Sequence, residues 1–336
     1  MRVAVCRPQV PFVRGGAEIF TDRLVEELRA RGAEADVVSL PLRTWPNDQL
    51  ATNAVMWRLI DLVEDVQTPA DLVIATKFPS YLIRHPNKVV WLVHQLRQAY
   101  EWHGTALGQF DDSPEDRTVR RGIQDLDRES LSEARKLFAT SANVAERLKR
   151  STGLLAEVLP HPPQELPYRC ERYGDFILCV GRLDPAKRVD LLLQAAALDS
   201  AIEVVVAGDG PDRERLESLA GPRIRFAGHV SEQELADLYA TCRAVFYAPA
   251  DEDFGMVPYE AFRAAKAVIT TTDAGGPLEA VHDRENGLIV EPDPSAIASG
   301  LRELLDDESK ARSFGEAGQQ VGSALTWDDA IAKLLG

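Results

Sequence analysis

Four side chains have the types and spacing for chemistry on one kind of ligand. Glu252 and Glu260 are separated by seven residues, among them Phe254, Gly255, Met256 and Val257. Carboxylates only accept hydrogen bonds, so they suit pairs of sugar hydroxyls. The backbone N–H groups between them lie at the start of an expected helix, where unpaired donors and the dipole attract phosphate. Gly255 would let a ligand approach the backbone closely. Arg182 and Lys187 form the second pair, in a loop that opens with Gly181. Two cations can neutralise a diphosphate, Arg through a bidentate fork and Lys as a point charge. Together these groups point to a ligand with both sugar hydroxyls and phosphates. The alternatives are plain: both glutamates could be acids favoured at a helix start, and both cations could be solvated surface.

The surrounding pattern gives these residues their places. An apolar run over 243–248 reads as a buried parallel strand. A polar loop covers 251–257, Pro258 suits the first position of a helix, and a further strand spans 267–271. Likewise 176–180 reads as a strand, 181–187 as its loop and 189–198 as a helix. The first half alternates too. A strand at 2–7 and a loop at 8–14 lead to Gly15 and Gly16, which open an amphipathic helix marked by Leu24, Val25 and Leu28. Strands follow at 34–40, 71–76, 88–94 and 136–140, with helices near 49–66, 117–133 and 142–150. The stretch 104–116 reads as a flexible loop, and Arg120, Arg121 and Arg128 as a solvated helix face. His94 ends an apolar strand, where ligands gather in open α/β sheets. The segment 94–105 is rich in His, Gln, Arg, Tyr and Trp, which suits carbohydrate. Gly208 to Pro211 lacks the third glycine of a dinucleotide-binding loop. Residues 160–167 are Pro-rich and read as a semi-rigid linker.

This alternation predicts an α/β protein of two doubly wound domains with a crevice between them. The expected divisions are 1–165, 166–320 and a terminal helix, 321–336. The 336 residues suffice for two cores, and 45% hydrophobic with 27% charged residues is a globular composition. A net charge of −15, with the acid excess in the second half, argues against a nucleic-acid binder. The more neutral first half leaves peripheral contact with an anionic membrane open. No apolar run approaches the ~18 residues of a membrane span, and Met1 to Cys6 has no long apolar leader core, so a cytoplasmic location is expected. Cys6, Cys170, Cys179 and Cys242 show no metal-ligand spacing and are expected to be buried thiols.

The motifs resemble one family. Glu252-x7-Glu260 with an internal Phe254-Gly255 resembles the E-x7-E motif of family-4 retaining glycosyltransferases, the group 1 type. Asp253 stands where the usual E-G-F-G has its first glycine. Gly181-Arg182-Leu183 with Lys187 matches the second signature, G-R-[LF]-x-x-x-K. The likeness is specific over 173–305 and thinner over 1–165. It implies the GT-B fold, in which two Rossmann-like domains face across a crevice and the last helix, here 321–336, returns to the first domain. It also implies a metal-independent transfer, with retained configuration, from a nucleotide-diphosphate sugar and with no cofactor. Arg182 and Lys187 would grip the diphosphate, Glu260 the ribose and Glu252 the donor sugar. Gly15, Gly16, Gly181 and the 254–257 backbone would meet phosphate, His94 the sugar, and the backbone near Val230 the nucleobase. The acceptor would be a glycan, a lipid-linked or a small molecule, as in polysaccharide biosynthesis. The E-D-F-G variant tilts the donor towards GDP-mannose over a UDP-hexose. The rivals are a non-catalytic nucleotide-sugar-binding subunit of a polysaccharide assembly complex and a GT-B nucleotide-sugar epimerase.

Overall fold

The structure is a computed structural model and describes residues 1–336 apart from 14, 65 and 66. The expected ends of the first loop (Arg14) and the second helix (Val66) lie outside the described residues. Two compact units form, Met1–His161 with Trp327–Gly336 and Pro162–Thr326.

The first unit contains β1 (Arg2–Gln9), α1 (Gly16–Ala30), β2 (Glu34–Pro41), α2 (Gln49–Leu59), β3 (Leu72–Lys77), β4 (Lys88–His94), α3 (Pro114–Ser132), β5 (Lys136–Ala139), α4 (Ala142–Thr152) and β6 (Glu157–Val158). The second contains β7 (Phe176–Val180), α5 (Val189–Leu198), β8 (Glu203–Ala207), α6 (Arg213–Leu219), β9 (Ile224–Gly228), α7 (Glu232–Thr241), β10 (Ala244–Phe246), α8 (Val257–Arg263), β11 (Ala267–Thr271), β12 (Gly287–Val290), α9 (Pro294–Asp306) and α10 (Glu308–Ser323). Helix α11 (Trp327–Leu335) completes the first unit.

Each unit has a parallel six-stranded sheet, ordered β2-β1-β3-β4-β5-β6 and β12-β11-β10-β7-β8-β9. Covered on both faces, parallel strands become near-continuous apolar runs. Leu72 to Ala75 and Val204 to Ala207 are buried throughout. The strand order reverses between β1 and β3 in one unit and between β7 and β10 in the other. In open α/β sheets, ligands bind beyond the carboxyl ends of strands at such a reversal.

Several local expectations need correction. Helix α3 starts at Pro114, within the stretch read as a flexible loop. Ser113 accepts from the Asp116 N–H, and Pro114 sits in the first turn, a capping arrangement that stops the loop early. Helix α2 stops at Leu59 because Asp61 turns the chain, accepting from the Val63 and Glu64 N–H groups at 2.8 and 3.0 Å. Strand β6 is too short and too exposed to signal itself. Cys170 is exposed, whereas the other three thiols are buried.

The segment 94–105 is turned inwards at two of its polar groups. Asp127 on α3 is fully buried. It accepts from the Tyr81 hydroxyl at 2.7 Å, the Tyr100 hydroxyl at 2.8 Å and Gln95 Nε2 at 3.0 Å. Tyr100 and Gln95 therefore satisfy an internal carboxylate instead of standing open for sugar. Burial raises the Asp127 pKa from 3.8 to about 6, and the three donors pull it only part of the way back. The folded state then holds a proton that the unfolded chain has already lost. Stability should fall as pH rises from about 4 to about 6, by about 3 kcal/mol at 1.36 kcal/mol per pKa unit. The melting temperature of wild type relative to Asp127→Asn should therefore decline across that window. A difference independent of pH would show that Asp127 is not the titrating group.

Candidate functional site

The candidate site is built at the strand reversal of the second unit. Its first part is the loop after β7. Gly181 donates to Ala207 O at 3.1 Å, and Leu183 donates to Asp209 O at 3.0 Å. The loop thus lies against the backbone that follows β8. Gly208 permits this, since a Cβ there would sit 1.9 Å from Gly181 O. The Gly208 to Pro211 run is therefore explained by close packing of two loops. Asp184 accepts from the Ala186 N–H at 3.1 Å and closes a 3-10 turn over Pro185–Lys187. Arg182 is exposed, with no side-chain partner among the described residues. Lys187 ion-pairs with Glu252.

The second part is the loop after β10. The backbone of Glu252 forms an isolated parallel bridge with Gly275, donating to Ala274 O at 2.7 Å and accepting from the Gly276 N–H at 2.9 Å. Its carboxylate accepts from Lys187 and from the Tyr247 hydroxyl, the latter at 3.0 Å. Burial of Lys187 opposes its charge, but the Glu252 carboxylate outweighs burial and raises its pKa. The lysine is thus a fixed cation across any physiological pH. Burial, then the Glu252 charge, pushes the Tyr247 hydroxyl up, so it stays protonated and donates.

Beyond Glu252, Phe254 is buried and stacked on Tyr259 at 5.0 Å. Gly255 has φ +80°, and a Cβ there would come within 3.0 Å of both Tyr247 and Pro277. A residue with a side chain would meet strain and a clash together. The N–H groups of Gly255, Met256 and Val257 have no acceptor among the described residues. Helix α8 begins at Val257, one residue earlier than expected, with Pro258 in its first turn. Glu260 is buried and accepts from the Tyr239 hydroxyl at 2.7 Å. Burial raises its pKa, against the pull of Tyr239 and Arg263. Val230 is half-buried and packs on the same apolar cluster as Tyr239 and Phe254.

The structure thus brings Lys187 and Glu252 into contact and sets Glu260 in the following helix, while Arg182 stays at the surface. Sequence reasoning missed Tyr247, Tyr239 and Arg188. The one signal for the tyrosines was that a hydroxyl in an apolar run needs a partner.

Gly15, Gly16 and His94 belong to the first unit. Gly15 caps α1, and its N–H donates to Glu18 Oε2 at 3.0 Å, so that donor is taken by the chain itself. Glu18 also pairs with Lys77, at the end of β3, at 2.9 Å. Burial works against the Glu18 charge, but Lys77 outweighs it and lowers the pKa. His94 ends β4, with Nδ1 2.5 Å from Gln95 O. Trp102 is half-buried, with Arg97 4.3 Å above its ring.

Residues 173–321 match the family described as glycosyl transferases group 1. The D-inositol 3-phosphate glycosyltransferase of Corynebacterium urealyticum is 32% identical over 173 residues, 46% of this chain and 41% of that protein. A GDP-mannose-dependent alpha-mannosyltransferase of Mycobacterium tuberculosis is 40% identical over 111 residues, 33% of this chain and 29% of that protein. The matched stretches thus span less than half the length of these curated relatives. Among solved structures, sucrose-phosphate synthase from Thermosynechococcus elongatus superposes with a TM-score of 0.79, at 19% identity, over 99% of this chain and 97% of that one.

Proposed function

Because residues 173–321 match the family model of the group 1 glycosyl transferases and the chain has the GT-B fold, we propose that the protein is a retaining, metal-independent hexosyltransferase. It moves a sugar from a nucleoside-diphosphate donor, GDP-mannose ahead of a UDP-hexose, to a glycan, lipid-linked or small-molecule acceptor. One observation carries this reading: the Lys187–Glu252 pair lies at the carboxyl ends of β7 and β10, where the strand order reverses. The E-D-F-G form of the loop and the mannosyltransferase relative support GDP-mannose.

In the reaction, the bond from the sugar's C1 to the diphosphate oxygen breaks, and its electron pair stays on the phosphate. The acceptor oxygen bonds to C1 on the same face, and its proton passes to the departing phosphate. Charge grows on the diphosphate, and Lys187 and Arg182 stabilise it. An ammonium has three donors and Glu252 takes one, so Lys187 can serve both groups. Glu252 receives hydroxyls of the donor sugar and Glu260 those of the ribose. Gly181, Phe254, Gly255, Met256 and Val257 present backbone to the phosphates. Val230 borders the base, and Gly15, Gly16 and His94 serve from the first unit. A lipid-linked acceptor would bring the protein to the inner face of a membrane. Val55, Met56 and Leu59, exposed on one face of α2, support peripheral contact there. Among the described residues, no helix is long and apolar enough to cross a membrane.

Calorimetric titration with GDP, UDP and their sugars, alongside donor hydrolysis, tests the reading. Glu260→Gln should weaken nucleoside-diphosphate binding about tenfold, or 1.4 kcal/mol. Glu252→Gln should leave that binding intact and lower turnover. Equal losses of nucleotide affinity in the two variants would overturn the division of roles. Donor binding with no hydrolysis and no transfer would favour a non-catalytic binding subunit instead.

A further inference from the structure

The loops after β7, β10 and β11 meet at Arg188, which the donor reading leaves without a task. Its backbone lies at φ +50° and ψ 40°, a left-handed conformation that a residue with a Cβ seldom adopts. A guanidinium has five N–H donors on three nitrogens, and here those nitrogens reach five acceptor atoms, with one Nη2 hydrogen shared between two of them. Nε donates to Ala248 O at 2.9 Å. Nη2 donates to Pro249 O at 2.8 Å, Thr271 Oγ1 at 2.9 Å and Asp273 Oδ1 at 2.7 Å. Nη1 donates to Asp273 Oδ2 at 2.7 Å. Asp273 is held further by the Thr271 hydroxyl at 2.8 Å. Arg188, ahead of the other influences, lowers the Asp273 pKa, so the carboxylate stays charged. The same stretch then grips the loop that carries Glu252. Asp251 N–H donates to Asp273 O at 3.0 Å, and Glu252 N–H donates to Ala274 O at 2.7 Å. Arg188 also directly follows Lys187. One fork therefore ties the cation, the carboxylate and the strand end between them.

We propose that Arg188 and Asp273 form a positioning clasp. The pair does not touch the donor. It sets Lys187 against Glu252, so that diphosphate and hexose of one donor are engaged together. The assignment rests on the donor reading given above. Only arginine has the planar fork this needs, because a lysine is a point charge that cannot join five acceptors.

The test uses Arg188→Gly, Arg188→Lys and Asp273→Asn. Glycine adopts φ +50° without strain, so Arg188→Gly keeps the turn and removes only the fork. Hydrogen exchange of the unliganded proteins reads the loop, and GDP affinity and GDP-mannose hydrolysis read the site. In Arg188→Gly and Asp273→Asn, exchange at the Asp251 and Glu252 amides should rise about tenfold or more, with the melting temperature nearly unchanged. The kcat should fall about tenfold to a hundredfold, as expected of a misplaced reacting group. GDP affinity, set largely by Glu260, should stay within about threefold, near 0.7 kcal/mol. Arg188→Lys should be intermediate in both exchange and kcat. Unchanged exchange at 251 and 252, or a kcat within twofold of wild type, would overturn the clasp. So would matched losses of melting temperature and GDP affinity, which mark a purely structural residue. A wild type that binds neither GDP nor UDP overturns the donor reading, and the exchange comparison still decides the clasp.

Discussion

Lys187→Ala should lower the rate of donor cleavage by about two to three orders of magnitude, the loss expected when one preorganised charge-stabilising donor is removed, about 2.7–4 kcal/mol. The size follows from where the charge sits. Lys187 is three-quarters buried, and Glu252 holds it protonated. On the proposed reaction it would therefore meet the departing diphosphate with little solvent reorganisation. Removing it also takes the cation away from Glu252, whose side chain is 13% exposed and which still accepts from the Tyr247 hydroxyl. Arg182 is exposed, so water screens it, and Arg182→Ala should have the smaller effect, about tenfold or 1.4 kcal/mol. Lys187→Arg keeps the charge but changes its shape, and should recover only part of the rate. Initial rates of GDP-mannose and UDP-glucose hydrolysis, with GDP and UDP affinities measured on the same samples, check this ranking. A Lys187→Ala rate within a factor of about three of wild type, under 1 kcal/mol, would remove Lys187 from the reaction.

Gly208→Ala should be the most damaging of the small substitutions. Its Cβ would lie 1.9 Å from Gly181 O and 2.9 Å from Gly181 C, both backbone atoms, at a φ of +138°. No flexible side chain can move aside, so one of two tightly bonded loops must shift. Overpacking and a conformation nearly reserved for glycine together should cost about 3 kcal/mol or more. For a unit of this size that lowers the melting temperature by roughly 6–12 °C. Because Gly181 opens the loop carrying Arg182 and Lys187, nucleotide affinity should fall with it. Gly221→Ala is the matched control, since nothing lies within 4 Å of a Cβ there. Scanning calorimetry on both variants decides the matter, and equal melting temperatures would contradict the packing argument.

The parts of the site that were legible in sequence are those fixed by short spacing. Lys187 lies a few residues beyond the end of β7, and Glu252 a similar distance beyond β10, so alternation of strand and helix places both at sheet edges. Glu260 was legible because α8 starts just before it. What sequence could not show depends on contacts between distant stretches. The tie from Arg188 to Asp273 exists because β7, β10 and β11 are neighbours in an order unlike their order in the chain. Tyr247 read as part of an apolar run, and its hydroxyl acquires meaning only once the next loop folds back over it. Gln95 and Tyr100 went the other way. Their polarity suggested a sugar surface, but a carboxylate on α3 claims both. Composition reports which bonds a side chain can make, and only topology decides with whom.

Helix α11 has a consequence for how the protein is made. Trp327, Ala330, Ile331 and Leu334 are buried in the same core as Phe20, Leu24 and Trp91, with the Trp327 ring 6.4 Å from Phe20 and 6.3 Å from Trp91. The strands of that core are all synthesised before residue 161, yet its closing helix follows the whole of the second unit. On the ribosome, the first unit must wait while residues 162–326 are translated, roughly eight to thirty-three seconds at elongation rates of about 5–20 residues per second. During that interval the nascent sheet presents an uncovered aromatic face. The cell therefore has a reason to shield this chain with a chaperone until residues 327–335 have been translated, although both of its sheets are built from local repeats of strand and helix.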